Sequence, residues 1–434
     1  MTARKKLLLG AGVVLALLVA AGAVFALTRP PQDVSNPDVA FESEPTVTPV
    51  PTEIPDEPEE GSKKADPLRN FVWGTYGYSK DRRKFMPAST LLRPPFRRVW
   101  SYTGSILLEF PPVMAEGKLY LLKNSGSLHA INKRTGKAVW RKRLGVLAAA
   151  SPAYGNGRIF VPLLSRGKNK PGAVYALDAK TGKILWKRLL PSRSESSPVF
   201  DNDRIYLGSE NGTVYSIRAG DGQVRWKFKA EGAVKSGLAL ANGKLFFGDY
   251  SGRVYAIRQA DGGQVWRTGT KGGALGLKSG TFYSTPAVAF GRVYVGNTDG
   301  RMYSFSSSNG KLAWTKGTGS YVYSSPAVAQ VPGGKPTVFF GSYDGKFYAV
   351  DARNGKVLWS YKDGGKISGG ATVIGDIVYF SNYGKKSTTG LGARTGRKVF
   401  TMRRGAFNPV ISDGRTVFLT GYSSLYALRP KKAE

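Results

Sequence analysis

The sequence has no cysteine and only one histidine, His129, among its 434 residues. The absence of cysteine excludes disulfides, zinc-thiolate centres, a thiol nucleophile and an acylated N-terminal cysteine. A single histidine disfavours a histidine-based metal site and a Ser-His-Asp triad. Because His129 stands where other copies of an internal repeat carry tyrosine, we interpret it as a strand side chain. The sequence also has no Gly-rich phosphate loop after a strand and no nucleophile-elbow motif, so we expect no enzymatic activity.

Acidic residues are scarce, with 29 Asp and Glu against 64 Lys and Arg, which gives a net charge of +35. The two signs are separated along the chain: residues 33–60 carry nine acids and no base, whereas residues 65–434 carry 58 bases and 20 acids. A positive field of this size attracts anionic polymers and membrane surfaces, but it also serves simply to keep a solvated surface soluble. Both interpretations stay open at this point.

The N-terminus predicts a membrane anchor. Residues 1–6 include three bases, and residues 7–27 contain no charged side chain and are rich in Leu, Val, Ala and Gly. As a helix, such a segment would span about 31 Å, close to the hydrocarbon thickness of a bilayer. We therefore predict a cytoplasmic tail (1–6) and a single-pass transmembrane signal-anchor (7–27), with the rest of the chain extracytoplasmic at the cell membrane. A cleaved signal peptide is the alternative.

Residues 28–65 combine many prolines and acids with few aromatics. Such a composition buries too little apolar surface to offset the entropy of ordering. We therefore predict a disordered linker, which acts as a stalk and whose negative charge also shields the basic domain that follows. The next stretch, from residue 66 to about 96, mixes aromatics with Gly, Pro and Arg. That mixture suggests an irregular segment on the surface or over one end of the folded domain.

The remaining chain is built from one repeated unit. It reads Y-A-V-D-A-R-N-G-K-V-L-W at 348–359 and Y-A-L-D-A-K-T-G-K-I-L-W at 175–186, with further copies ending on an aromatic residue every 40 to 48 residues. A period of this length, with short strands and Gly turns, is typical of propeller blades. We expect each repeated aromatic to dock on the neighbouring blade. These residues are Trp100, Trp140, Trp186, Trp226, Trp266, Trp314, Trp359 and Phe400.

The two ends of the repeat array complement each other. Residues 97–102 read as the outermost strand of a blade that has no other strands nearby, and residues 408–430 read as three strands without a fourth. Joining them in one composite blade closes the ring and leaves no open end. The sequence therefore predicts an all-β, eight-bladed β-propeller over residues 66–434, preceded by one transmembrane helix and a disordered stalk.

The pattern A-x-D-x-x-T-G-x-x-x-W, complete at 176–186, resembles the repeat of pyrroloquinoline-quinone-like (PQQ-like) propellers. The resemblance covers residues 70–430 and implies one of two activities. Quinoprotein dehydrogenases hold a quinone and a calcium ion on the propeller axis, but they have long excursions between strands and usually an adjacent-cysteine disulfide. The compact, cysteine-free blades here are closer to the BamB-like non-catalytic scaffolds of the outer-membrane barrel-assembly machinery. That resemblance implies no cofactor, with a quinone and calcium as the alternative.

One face of the predicted propeller collects aromatic and basic side chains. Strand alternation places the turns between second and third strands on the same face as the beginnings of the innermost strands. Rings interleaved with cations suit a peptide or polymer ligand, although turn tyrosines also serve to cap blade edges. The candidate ligand-binding residues are Tyr250, Tyr283, Tyr323, Tyr343, Tyr383, Tyr422, Lys235, Lys278 and Lys366.

We therefore expect a membrane-anchored binding scaffold that engages a protein or an anionic cell-envelope polymer. The alternative is a quinone-dependent dehydrogenase. Nucleic acid is disfavoured as a partner by the predicted location alone, and the sequence predicts no oligomeric state.

Overall fold

The computed structural model describes residues 33–44, 53–58, 66–167, 170–270 and 280–431. Within these ranges every regular element is a β-strand, and none of the described residues forms a helix that is long and apolar enough to cross a membrane. The predicted transmembrane segment, residues 7–27, lies outside the described residues.

The described residues form 33 strands. The first two are β1 (Phe85–Met86) and β2 (Phe96–Tyr102). Blades 1 to 4 follow, with strands β3 (Val113–Ala115), β4 (Lys118–Leu122), β5 (Ser127–Asn132), β6 (Ala138–Arg143), β7 (Ala153–Gly155), β8 (Arg158–Leu163), β9 (Gly172–Asp178), β10 (Ile184–Leu190), β11 (Val199–Asp201), β12 (Arg204–Leu207), β13 (Thr213–Arg218), β14 (Val224–Lys229), β15 (Ala239–Ala241), β16 (Lys244–Gly248), β17 (Arg253–Arg258) and β18 (Gln264–Gly269). Blades 5 to 8 contain β19 (Ala287–Ala289), β20 (Arg292–Gly296), β21 (Arg301–Ser306), β22 (Leu312–Gly317), β23 (Ala327–Ala329), β24 (Thr337–Gly341), β25 (Lys346–Asp351), β26 (Val357–Lys362), β27 (Thr372–Ile374), β28 (Ile377–Asn382), β29 (Ser387–Gly392), β30 (Lys398–Met402), β31 (Val410–Ser412), β32 (Val417–Thr420) and β33 (Leu425–Pro430).

These strands make eight sheets, which confirms the predicted eight-bladed propeller. The four strands of each blade pair antiparallel, and β1 adds a fifth strand to the sheet of blade 7. Blade 8 is the composite one: β2 supplies the outermost strand beside β33, with Trp100 opposite Ala427 and Ser101 opposite Tyr426. The first and last parts of the folded domain thus share one sheet. We call the face where the chain begins each innermost strand the front face, and the opposite face the back face.

Neighbouring blades are joined by the repeated tryptophans. Each indole Nε1 donates a hydrogen bond to a backbone carbonyl in the turn between the third and fourth strands of the next blade, over distances of 2.8 to 3.2 Å. The same ring lies on the turn glycine; at Gly182, for example, a Cβ would lie 2.8 Å from the Trp140 ring. The eighth aromatic, Phe400, instead packs its ring edge-on against Phe96 and Tyr379.

The axis of the propeller is filled by residues 73–86, which we call the plug. Its backbone hydrogen-bonds successive innermost strands around the axis: Trp73 pairs with Met114, the Gly74 carbonyl accepts from Tyr154 N, and later plug carbonyls accept from blades 4, 5, 6 and 7. The plug ends in β1, which runs parallel to β27. The sequence placed this segment on the surface or over one end, whereas it lies inside the hub.

The Arg82 side chain explains why a polar segment is stable on the axis. It is completely buried, and its guanidinium donates to the carbonyls of Leu238, Ser197 and Pro198 at 2.8 to 3.0 Å. The carbonyls of Leu238 and Ser197 lie in irregular segments just before innermost strands, where no sheet supplies a donor, so the buried charge and these carbonyls satisfy each other.

Parts of the predicted linker pack on the back face and outer wall of the propeller. Residues 33–44 contact blades 5 and 6, and residues 53–58 contact blades 8 and 1, where Glu57 pairs with Arg429 and Arg134. For these two segments the prediction of a disordered stalk is wrong, because their acids and carbonyls bind the basic groups of the propeller. The expected shielding of the basic domain is therefore visible in these contacts. Residues 28–32, 45–52 and 59–65 lie outside the described residues.

Candidate functional site

The front face brings together four of the predicted tyrosines in one continuous row. Ring centroids are 6.4 Å apart between Tyr250 and Tyr283, 5.9 Å between Tyr283 and Tyr323, and 5.0 Å between Tyr323 and Tyr343. Tyr321, which is 50% exposed, packs against the last two of these rings at 5.8 and 6.2 Å. We call these five residues the tyrosine row. It begins in blade 4, crosses blade 5 and ends in blade 6.

A cation lies over each end of the tyrosine row. The Lys235 ammonium is 5.4 Å from the ring centroid of Tyr250, and the Lys366 ammonium is 5.5 Å from that of Tyr343. Both distances are within the range of a cation–π interaction. The tyrosines come from second-to-third strand turns and from the beginnings of innermost strands, as strand alternation predicts, so the repeat itself places them side by side.

Carboxylates that the sequence reasoning missed accompany Lys235. Its ammonium lies 3.0 Å from Glu195 and 3.1 Å from Glu210, and Glu210 also receives a two-pronged hydrogen bond from Arg193. Glu195 accepts a further hydrogen bond from the Tyr283 hydroxyl at 3.2 Å. The basic charge at this end of the tyrosine row is therefore largely neutralised by acids.

The two carboxylates differ in their preference for a proton. Burial raises the pKa of Glu195, although the nearby Lys235 opposes this. Burial also acts on Glu210, but hydrogen bonds led by the one from Arg193 outweigh it and lower the pKa of Glu210 to about 2. Burial likewise raises the pKa values of Tyr250 and Tyr283. Tyr250 and Tyr283 therefore present neutral phenols at physiological pH.

The other predicted site residues lie apart from the tyrosine row. Tyr383 is 43% exposed and stacks on Phe407 at 5.2 Å, and Tyr422 is 39% exposed beneath the Lys386 ammonium at 4.9 Å. The structure brings neither of them into the row. Lys278 lies outside the described residues.

A narrow cavity of ≈ 60 Å³ lies on the axis at the front face, with Tyr76 of the plug among its lining residues. Around it, side chains at the start of the innermost strands tie one blade to the next. Ser151 N donates to Ser197 Oγ, Thr285 N to Ser325 Oγ, and Gly370 N to Asn408 Oδ1. The sequence carried a signal for this girdle, because Ser, Thr or Asn precedes a proline at five of these positions (Ser151, Ser197, Thr285, Ser325 and Asn408).

The front-face cavity does not fit a quinone cofactor with its calcium ion. Cofactor pockets have volumes of about 300–1,000 Å³, against ≈ 60 Å³ here. The plug fills the axis. Within the plug, burial strongly lowers the pKa of Lys84, and the Lys84 ammonium lies 4.7 Å from the centroid of the Tyr76 ring. Among the residues that the structure describes, no three His, Asp or Glu side chains are grouped to hold a metal ion. We therefore derive no chemistry through a quinone.

The described part of the front face thus offers stacking surface, phenol hydroxyls and two end cations, and among its described residues no nucleophile is held by a base. His129, the one imidazole, accepts or donates a hydrogen bond at 2.7 Å with the Tyr102 hydroxyl on the outer part of blades 8 and 1. Such an arrangement binds a ligand through rings and hydrogen bonds.

The comparisons with known proteins agree with the fold. The family model described as outer membrane protein assembly factor BamB matches residues 95–229 and 210–434. BamB from Moraxella catarrhalis is 16% identical, with a TM-score of 0.62 over 77% of this chain and 99% of that one. The quinohemoprotein alcohol dehydrogenase ADHIIG from Pseudomonas putida HK5 is 13% identical, with a TM-score of 0.69 over 85% of this chain and 81% of that one. The quinohemoprotein alcohol dehydrogenase from Comamonas testosteroni is 14% identical, with a TM-score of 0.66 over 84% and 82% of the two chains. No curated protein matches the sequence.

Proposed function

This chain belongs to the family of the outer membrane protein assembly factor BamB, and we propose on that basis that it is a non-catalytic scaffold that binds a protein partner at the cell envelope. Residues 7–27 tether it to the membrane with the N-terminus in the cytoplasm and the propeller outside. The tyrosine row is the surface that receives the partner. Its continuity across three blades is the single observation that carries the proposal.

The chemistry of the front face favours a polypeptide over an anionic polymer. A polyanion needs unpaired cations, but Lys235 and Arg193 are already engaged by Glu195 and Glu210. Exposed or half-exposed phenol rings, in contrast, supply large contact area at a low entropic cost and hydrogen-bond at their rim, which is why tyrosine is enriched in protein interfaces. The anionic polymer therefore becomes the less favoured ligand. Dehydrogenase activity has no specific observation in its favour, since the plug fills the axis.

Site-specific photo-crosslinking in the native membrane tests this proposal. A photoreactive phenylalanine analogue replaces Tyr343 in the tyrosine row or, as the matched control, Leu189, which is 65% exposed on the outer wall of blade 2. We expect a discrete protein adduct from the first position only, and we expect Tyr250→Ala with Tyr323→Ala to abolish it. Equal adducts from both positions, or an adduct that survives the double change, would refute the tyrosine row as the binding surface.

The location is tested separately. Since the sequence has no cysteine, Lys346→Cys creates a single thiol at the exposed first residue of β25, on the front face. A maleimide that cannot cross membranes should label this thiol in intact cells. Labelling that requires cell lysis would contradict the extracytoplasmic location and leave the binding proposal to its own test.

A further inference from the structure

Residues 33–44, which we call the arm, bind blade 5 in the way that an added strand binds a sheet edge. The Val34 carbonyl accepts a hydrogen bond from Thr315 N at 2.9 Å, and Asn36 N donates to the Ala313 carbonyl at 2.6 Å. Ser35 lies opposite Trp314 in an antiparallel bridge. The arm therefore extends β22 by one short strand, which is a recurring mode of peptide recognition.

Blade 5 differs from the other blades at the position that this added strand covers. The residue before the repeated aromatic is Val, Leu or Arg in seven blades, but it is Ala313 in blade 5. Ala313 is 2% exposed, whereas its counterparts Leu185 and Leu358 are 45% and 39% exposed. The small methyl group of Ala313, in place of the larger side chains of the other blades, lets another backbone approach the edge of β22. The sequence of this blade is thus adapted to a peptide.

Beyond the strand pairing, the arm places apolar side chains on the back face. Val39 is 6% exposed in the core shared by blades 5 and 6. The Phe41 ring stacks on Phe290 with 5.2 Å between centroids and lies 5.0 Å below the Arg353 guanidinium. Arg292 Nε donates to the Ala40 carbonyl at 2.6 Å. These contacts form a pocket for an apolar residue and an aromatic residue two positions later.

The two ends of the arm are held by charge. Asp33 pairs with Lys316 at 2.6 Å and with Arg301 at 3.3 Å, and it also accepts from Gly317 N. Glu44 pairs with Arg83 of the plug at 2.6 Å. Together with the apolar pocket, these contacts suit an extended peptide that carries an acidic residue at each end. We call the surface that the arm covers the blade 5 groove.

We propose that the blade 5 groove is a recognition site for extended acidic segments of a partner protein, and that the arm is its resident ligand. The pattern that it reads is an acid, an apolar residue six positions later, an aromatic residue two further on and an acid three beyond that. A partner segment with this pattern displaces the arm. The groove is distinct from the tyrosine row, since it lies on the outer wall and back face, and the proposal does not depend on the front-face partner.

Displacement would also change the reach of the tether, a consequence that rests on the proposed membrane anchor. Only residues 28–32 separate the apolar segment from the docked arm, so they allow at most about 18 Å of extended chain. With the arm released, the next described contact with the propeller is made by residues 53–58, and the 25 residues from 28 to 52 can span at most about 90 Å. A partner peptide would thus exchange a short tether for a long one.

A synthetic peptide with the sequence of residues 33–44, labelled with a fluorophore, tests the site on the full chain in detergent. In an open variant, Val39→Asp with Phe41→Ser, the arm no longer fills the groove. We expect this variant to bind the peptide about tenfold to a hundredfold more tightly than the wild-type chain, because the tethered arm competes at an effective concentration in the millimolar range. Adding Arg292→Glu to the open variant should abolish binding, and so should a peptide with serine at the position of Phe41.

Hydrogen exchange supplies a readout that does not depend on the fluorophore. The backbone amide of Thr315 should be protected in the wild type, lose protection in the open variant and regain it when the peptide is added. An open variant that keeps native protection in the blade cores but does not bind the peptide would overturn the proposal. Equal binding by both chains would overturn it as well. A wild-type dimer that Phe41→Ser dissolves would assign the groove to a second copy of the chain and so reject a separate partner.

Discussion

The docking of each repeated tryptophan on a turn glycine predicts how two alanine substitutions in blade 2 will differ. Gly157 and Gly182 have the same φ of +73°, in the left-handed region that disfavours side chains. A Cβ at Gly157 would meet nothing within 4 Å, whereas one at Gly182 would lie 2.8 Å from the Trp140 ring. The pair therefore separates the backbone cost of alanine from the cost of disturbing the tryptophan.

The expected magnitudes follow from these two costs. Placing an L-residue in the left-handed region costs about 1–2 kcal/mol, which is the whole effect expected for Gly157→Ala. Forcing a methyl group into a packed contact adds about 1–3 kcal/mol, so Gly182→Ala should cost about 2–5 kcal/mol in total. Part of this second cost is the weakened hydrogen bond from Trp140 Nε1 to the Ala179 carbonyl, which is 3.2 Å long.

Equilibrium urea unfolding, followed by circular dichroism, measures both costs without relying on tryptophan fluorescence. In a Trp140→Ala background the ring is absent, so the two glycine substitutions should become equal within about 0.5 kcal/mol. Equal costs in the wild-type background would refute the claim that the indole rests tightly on the turn. A difference that persists without the ring would refute it too.

Three further predictions concern the hub and blade 1. Burial, with help from Lys123 and Arg141, lowers the pKa of His129 to about 4, so its contribution to stability is present above pH 6.5 and lost as the pH falls towards 4. Acidification from pH 7 to 4.5 should therefore destabilise the wild type by about 1–2 kcal/mol more than His129→Tyr, after allowance for partial exposure, in urea unfolding at both pH values. Arg82→Met, which leaves the carbonyls of Leu238, Ser197 and Tyr76 without the guanidinium that donates to them, should destabilise the chain by at least about 3 kcal/mol, and a smaller loss would show that water or other donors replace the guanidinium. Pyrroloquinoline quinone with calcium should leave the thermal unfolding temperature unchanged and give no dye-linked oxidation, and a saturable rise in that temperature would show that the plug can move aside.

The architecture was predictable because its cause is local and repeated. An aromatic residue every 40 to 48 positions, followed by strands of alternating polarity, specifies blades wherever it occurs. The composite blade was predictable for the same reason, since a strand ending near Trp100 lacked a sheet and the last three strands lacked a tryptophan. The placement of Tyr250 and Tyr343 on one face also followed from counting strands, because they occupy the same turn in different blades, but their joining with Tyr283, Tyr321 and Tyr323 in one row did not.

The missed features depend on contacts between distant parts of the chain. The composition of the arm predicts disorder, because composition carries no information about the basic groove, with Ala313 at its edge, that a distant part of the chain forms. The sequence of the plug has no periodicity of hydrophobic residues. Its backbone hydrogen-bonds to innermost strands that are distant in the sequence. The pairing of Lys235 with Glu195 depends on the angle between adjacent blades, which a linear sequence does not display.

The plug gives the chain an unusual order of assembly. Residues 73–86 leave the ribosome before any blade exists, yet Arg82 among them ends completely buried. Three of its acceptors, the carbonyls of Leu238, Ser197 and Pro198, belong to segments made more than a hundred residues later. The plug residues therefore stay solvated, without their long-range partners, until the later blades have been synthesised. Contacts of such long sequence separation slow folding. The last strand to be synthesised, β33, then closes the propeller by pairing with β2, which follows the plug in the sequence.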